Sequence, residues 1–245
     1  MSFLTMVVVA GAFAAGFFSG LTGFGTGMIA FGIWLHVVPA KTAAILVIWC
    51  SVVGQVCSIL MLRKSMNIKR ALPFAIPGIL LIPAGTWLLT VFDPSFFRVT
   101  IGVILVVFTT TLLIAGRVTL TAPWLDRFVD PLVGAVGGLM SGFAGLPGPS
   151  VTLWSTLRGW DKDQQRAIYQ PFNFAMVVLA FLSAVAAGLV DEETWMLCAA
   201  TVPATVASVI VGVKVYNRMN NEAFRSIVLA FLLISGLSLV VTALI

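Results

Sequence analysis

The sequence predicts an all-α integral membrane protein built as two inverted repeats, each a Gly-rich re-entrant helical hairpin followed by three transmembrane helices. Three observations lead there. The 245 residues carry 14 Lys/Arg and 9 Asp/Glu, or 9% charged, and 60% are hydrophobic. A soluble domain has about 25% charged residues because water must wet its surface, so a secreted domain, a nucleic-acid module and a soluble enzyme are excluded. The few charges fall in clusters separated by long uncharged runs, and the pattern of those runs occurs twice.

The uncharged runs are 1–40, 42–62, 71–92, 99–116, 131–157, 167–190, 194–213 and 226–245. A helix needs about 20 apolar residues to cross the hydrocarbon core. Six of the runs (42–62, 71–92, 99–116, 167–190, 194–213 and 226–245) fit one crossing each. A transmembrane barrel would show short alternating segments instead. The opening run is not expected to be a cleavable signal peptide, because no Lys or Arg precedes Lys41 and the basic n-region is missing.

The two longer runs hold the duplicated feature. Ser19-Gly20-Leu21-Thr22-Gly23-Phe24-Gly25-Thr26-Gly27 aligns with Ser141-Gly142-Phe143-Ala144-Gly145-Leu146-Pro147-Gly148-Pro149. Further on, Trp49 corresponds to Asn173, Pro77 to Pro203, and Phe97-Arg98 to Phe224-Arg225. The repeats are therefore expected at 1–122 and 123–245, together forming one transmembrane domain. Internal duplication of this kind is common in transporters.

Charge placement selects the topology. If each Gly-rich segment crosses once, the basic residues divide eight to six and give no orientation. If it enters and returns, twelve of the fourteen share one face, with only Lys41 and Arg98 opposite. That is the asymmetry of the positive-inside rule. It sets both termini outside and, with three further crossings per repeat, turns the second repeat upside down. Arms at 131–141 and 149–160 span about 17 Å of helix each, so they are expected to reach mid-membrane only.

The tips cannot be regular helix: one is crowded with Gly, and the other sets Pro147 and Pro149 around Gly148. Each frees backbone N–H groups at the start of a returning helix, a natural anion site. Gly23, Phe24, Gly25, Thr26 and Gly27 in the first tip, and Gly145, Leu146, Pro147 and Gly148 in the second, are the candidate substrate-binding residues, with Thr26 and Ser150 as hydroxyl donors. Gly16 and Gly20, and Gly134 and Gly138, instead have the spacing of close helix contacts. Polar groups inside the spans are few. Gln170 and Asn173 share a helical face and either line the path or bond between helices, Trp49 stands at the position equivalent to Asn173 and could wall the site, and Gln55 reads as structural.

No metal or cofactor site is expected. Cys50 and Cys57 share a face, Cys198 stands alone, and His36 is the single histidine, so no Cys/His set has ligand spacing. No charged residue is expected in the middle of a span, which leaves an anion to be held by backbone dipoles and polar side chains without a buried cation.

The duplicated Ser-Gly-x-x-Gly tips, the Pro77 and Pro203 spans and the basic inner loops resemble the sulfite exporter TauE/SafE family over nearly the whole chain. The resemblance implies a permease of the bacterial inner membrane that exports small sulfur-containing anions such as sulfite, sulfoacetate or a related sulfonate, with the tip glycines at the site. Pro147 and Pro149 depart from the Gly-rich stretch usual there. The partners implied are a small anionic substrate and the lipid bilayer, with no nucleic acid, while the oligomeric state, a homodimer among the options, stays open. A passive anion channel is the alternative. A membrane-embedded enzyme or assembly factor is a weaker one, since no nucleophile–base pair is visible.

Overall fold

Backbone polar groups in hydrocarbon must bond to one another, so long apolar runs close into helices. The computed structural model describes residues 3–61, 66–115, 119–120 and 124–219, and among them it contains helices and no strand. In order these are α1 (Phe3–Thr22), α2 (Thr26–Trp34), α3 (Ala40–Met61), α4 (Ile68–Val91), α5 (Pro94–Ala115), α6 (Trp124–Ala144), α7 (Gly148–Leu157), α8 (Lys162–Ala186) and α9 (Glu192–Tyr216). Polar residues between the apolar runs supply the N-caps. Asn67 accepts from the Arg70 N–H, Asp161 from those of Asp163 and Gln164, and Asp191 from that of Thr194.

Six of the described helices are long and apolar enough to cross a membrane: Phe3–Thr22, Ala40–Met61, Ile68–Val91, Pro94–Thr111, Asp163–Ala186 and Glu192–Tyr216. Five match expected crossings, and the expected span at 226–245 lies outside the described residues. The sixth is α1, the first arm of a Gly-rich segment. The hairpin arms differ from the expected pair of short ones. In each segment a long arm (20 residues in α1, 21 in α6) precedes a short one (9 in α2, 10 in α7). The arm expected at 131–141 is longer because α6 continues through Asp126, Arg127, Asp130 and Pro131. Charge marks where a chain meets water, and a helix needs no apolar residue to continue past that point.

Glycine seams set the packing. α1 lies against α9: a Cβ on Gly20 would sit 2.3 Å from the Val209 carbonyl oxygen, and one on Gly212 would sit 2.2 Å from that of Phe17. α4 lies against α6 in the same manner, with a Cβ on Gly138 falling 1.9 Å from the Gly78 oxygen and one on Gly85 falling 2.1 Å from that of Leu139. Backbones this close are how helices associate without a hydrophobic drive between them. The outer face of α4 exposes Leu72, Ile76, Leu80 and Trp87, an apolar surface suited to lipid. At the end of the second hairpin away from its tip, Trp154 Nε1 donates to Asp130 at 2.6 Å, and Arg158 pairs with Asp126 at 2.9 Å.

Candidate functional site: the hairpin tips

The first tip forms because α1 runs out of residues that can continue it. Gly23 and Gly25 have φ of 78° and 88°, a region only glycine enters freely. The Gly23 N–H donates to the Ser19 carbonyl at 2.7 Å, and the next donor, the Phe24 N–H, turns to Thr22 Oγ1 at 3.3 Å. The last carbonyls of α1 thus have no backbone donor and take side chains instead. Arg166 of α8 donates from Nη2 to Gly20 O at 3.1 Å and from Nη1 to Leu21 O at 3.4 Å. The Tyr169 hydroxyl donates to Thr22 O, while Gln55 and Asn173 both donate to Gly23 O, at 2.8 and 3.3 Å.

The second tip closes on its own backbone. Gly145, at φ 65°, donates to Ser141 O at 2.8 Å, and Leu146 donates to Met140 O at 3.2 Å. The Gly145 bond is the 5→1 bond of an αL C-cap, the same that Gly23 makes to Ser19 in the first tip, and the Leu146 bond adds a wider closure behind it. α7 then starts at Gly148, with Pro147 as its N-cap residue and Pro149 inside the first turn, where a missing N–H costs nothing.

The tips touch. A Cβ on Gly148 would come within 2.5 Å of Phe24 Cβ, and one on Gly27 within 2.7 Å of Leu146 Cδ2. Between them is a recess lined by residues 24–26 and 145–149, by Ser51 and Gln55 of α3 and by Asn173 and Val177 of α8. Its volume is about 10 Å³, roughly the space that one water needs. Both short helices start at this recess. Among the described residues no acceptor takes the N–H groups of Thr26 and Gly27 in α2 or of Gly148 and Ser150 in α7.

Of the candidates named from sequence, Phe24, Gly25, Thr26, Gly145, Leu146, Pro147, Gly148 and Asn173 line the recess. Gly23 stands behind it as the acceptor of two amides, and Gly27 packs on Leu146. The Ser150 hydroxyl is turned to Pro147 O at 3.2 Å. Trp49 lies elsewhere, donating to Cys198 O at 2.9 Å and stacking with Phe181 and Trp195. Gln170 joins helices: it accepts from Arg166 Nε at 3.0 Å and donates to Gln55 Oε1 at 3.0 Å.

Two residues carry more than the sequence suggested. Gln55 faces the recess as well as bracing the tip. Arg166 is 2% exposed, with its guanidinium 4.1 Å from the Tyr216 ring, so the expectation of no buried cation is corrected. By position in the sequence it groups with the loop charges. The signal was present, since Arg166, Gln170 and Asn173 follow one helical stripe at i, i+4 and i+7. Among the described residues no group of three His, Cys, Asp or Glu could hold a metal.

The profile of the sulfite exporter TauE/SafE family matches residues 8–239. The chain belongs to that family. Comparison with curated proteins and with solved structures gave no match. As a TauE/SafE protein with six helices of membrane-crossing length and composition, it is a multi-pass membrane transporter of the sulfite-exporter type.

Proposed function

We propose that this TauE/SafE protein exports small sulfur-containing anions, sulfite, sulfoacetate or a related sulfonate, across the bacterial inner membrane, and that it holds the anion near mid-depth between the two tips. The observation that supports this is the convergence of two helix N-termini on one recess, with Gln55 and Asn173 in its wall. Each presents unpaired N–H groups, and each helix end carries about half a positive elementary charge. Candidate binding groups are the N–H donors of Thr26, Gly27, Gly148 and Ser150, with Gln55 and Asn173 beside them.

The reading includes two inverted repeats, 1–122 and 123–245, with re-entrant Gly-rich hairpins. Its support is the recurring series of helix lengths and the matching seams of α1 on α9 and α6 on α4. Setting Arg166 aside leaves eleven basic residues on the inner face against Lys41 and Arg98, so both termini belong outside. A recess of about 10 Å³ does not hold a sulfonate, so the tips must part to load one. That favours alternating access over a passive channel, whose conducting path stays open while ions pass.

Flux in proteoliposomes tests the proposal. An interior-negative potential of 100 mV favours outward movement of one negative charge by about 2.3 kcal/mol, so the potential alone should drive sulfite movement. Uptake that depends strictly on an imposed proton gradient would overturn this drive, and single-channel current steps would overturn alternating access.

A further inference from the structure

The recess offers donors from both helix N-termini, yet one buried group in its wall is an acceptor. Asn173 lines the recess and is 1% exposed, and its Oδ1 accepts no hydrogen bond from the described residues. Its orientation is set by its neighbours. Gly23 O can only accept and already takes the Gln55 Nε2–H, so Asn173 must present Nδ2 to it. Reversing the amide would set oxygen against oxygen. The Gln55 amide is held in turn, because Arg166 can only donate. Its Nε–H claims Gln170 Oε1, which turns Gln170 Nε2 to Gln55 Oε1 and Gln55 Nε2 to Gly23. Gly23 is not part of the recess lining, so the free side of the Asn173 amide, its oxygen, is the side left to the recess.

A buried acceptor without a donor is costly, and a ligand that supplies the donor recovers that cost. Building on the anion-exporter reading, we propose that Asn173 makes the site selective for anions that themselves carry a hydrogen-bond donor. Hydrogensulfite and hydroxy-substituted sulfonates belong to this class, whereas fully deprotonated sulfite and plain alkylsulfonates can only accept. The N–H groups of the tips hold the oxyanion head, and Asn173 Oδ1 receives the donor. Arg166 acts through Gln170 and Gln55 and is a positioning residue.

The probes are hydroxymethanesulfonate and ethanesulfonate, which differ by a hydroxyl in place of a methyl. Their binding to the purified full-length protein is measured by calorimetry. The hydroxyl compound should bind at least about tenfold tighter, equivalent to about 1.4 kcal/mol. In Asn173→Leu, shown by size-exclusion to remain folded, the ratio of the two affinities should fall to about one. A residue that merely braced the tip would weaken both ligands together and keep the ratio. Equal affinities in the unsubstituted protein overturn the donor selectivity while leaving an anion site, a comparison that needs no variant. Failure of both sulfonates to bind removes the anion site and the selectivity with it.

Discussion

Replacing Arg166 with methionine keeps an unbranched stem as far as the position of Nε and removes the charge and all the donors. Three acceptors then lose their partner: Gln170 Oε1 and Gly20 O, at 3.0 and 3.1 Å, and Leu21 O at a weaker 3.4 Å. The two shorter bonds, each to a charged donor, contribute about 1.5–3 kcal/mol apiece, or about 3–6 kcal/mol together. Relief of the guanidinium's desolvation offsets part of this, and the face of Tyr216 loses a cation worth about 1–2 kcal/mol when desolvated. The expected net loss of stability is about 2–4 kcal/mol, read by reversible unfolding in mixed micelles. Arg166→Lys should fall between the two, since an ammonium keeps the charge but cannot fork across two carbonyls. Unfolding of Arg166→Met at or above the denaturant midpoint of the unsubstituted protein would refute the view that this cation closes the end of α1.

Four further outcomes follow from the structure. Gly138→Ala sets a Cβ 1.9 Å from a backbone oxygen of α4, so it should lower the thermal midpoint sharply or prevent folding. Gly32→Ala, with nothing within 4 Å of the added carbon, should leave the midpoint level or raised. Gly148→Val drives the second tip against Phe24 and should abolish proteoliposome flux while the protein still elutes as a folded species; unchanged flux would count against the tips as the site. Asp191 caps α9, and its bonds to the side chain and N–H of Thr194 hold its carboxyl below the usual range. A depressed folded pKa adds stability above the unfolded value of about 3.9, lost as pH falls through the lower folded value. Asp191→Ala should therefore melt earlier at pH 7, with the gap closing in acid; a gap that stayed constant with pH would show that the carboxylate charge is not involved.

The spans and the tips were legible because their signals are strong and local. Uncharged runs of crossing length mark helices, and Gly or Pro at matching positions marks the breaks. Helix ends were harder to place, as α6 shows by running through Asp126 and Asp130. Symmetry misled at Trp49, whose position matches Asn173 but whose indole needs a partner of its own and finds Cys198 O. Arg166 was the larger omission. A basic residue next to a loop reads as a loop charge until the neighbouring hairpin is known to end in unclosed carbonyls, and that depends on the missing backbone closure at Phe24, which no pattern in the sequence displays.

A hairpin carries an electrical difficulty as an anion site. It places the negative end of one helix only a few residues from the positive end of the next, so the two half-charges largely cancel at a distance. At the first tip that cancellation is broken, because a guanidinium sits on the exposed carbonyls of α1 and leaves the field of α2 unopposed. At the second tip the neutral N–H groups of Gly145 and Leu146 bond back to Ser141 O and Met140 O, and among the described residues no charged side chain caps the end of α6. The two tips are alike in chain path and unequal in potential, so the recess is polarised along the line that joins them. On the proposed reading, an anion held there is drawn toward the first tip and the start of α2.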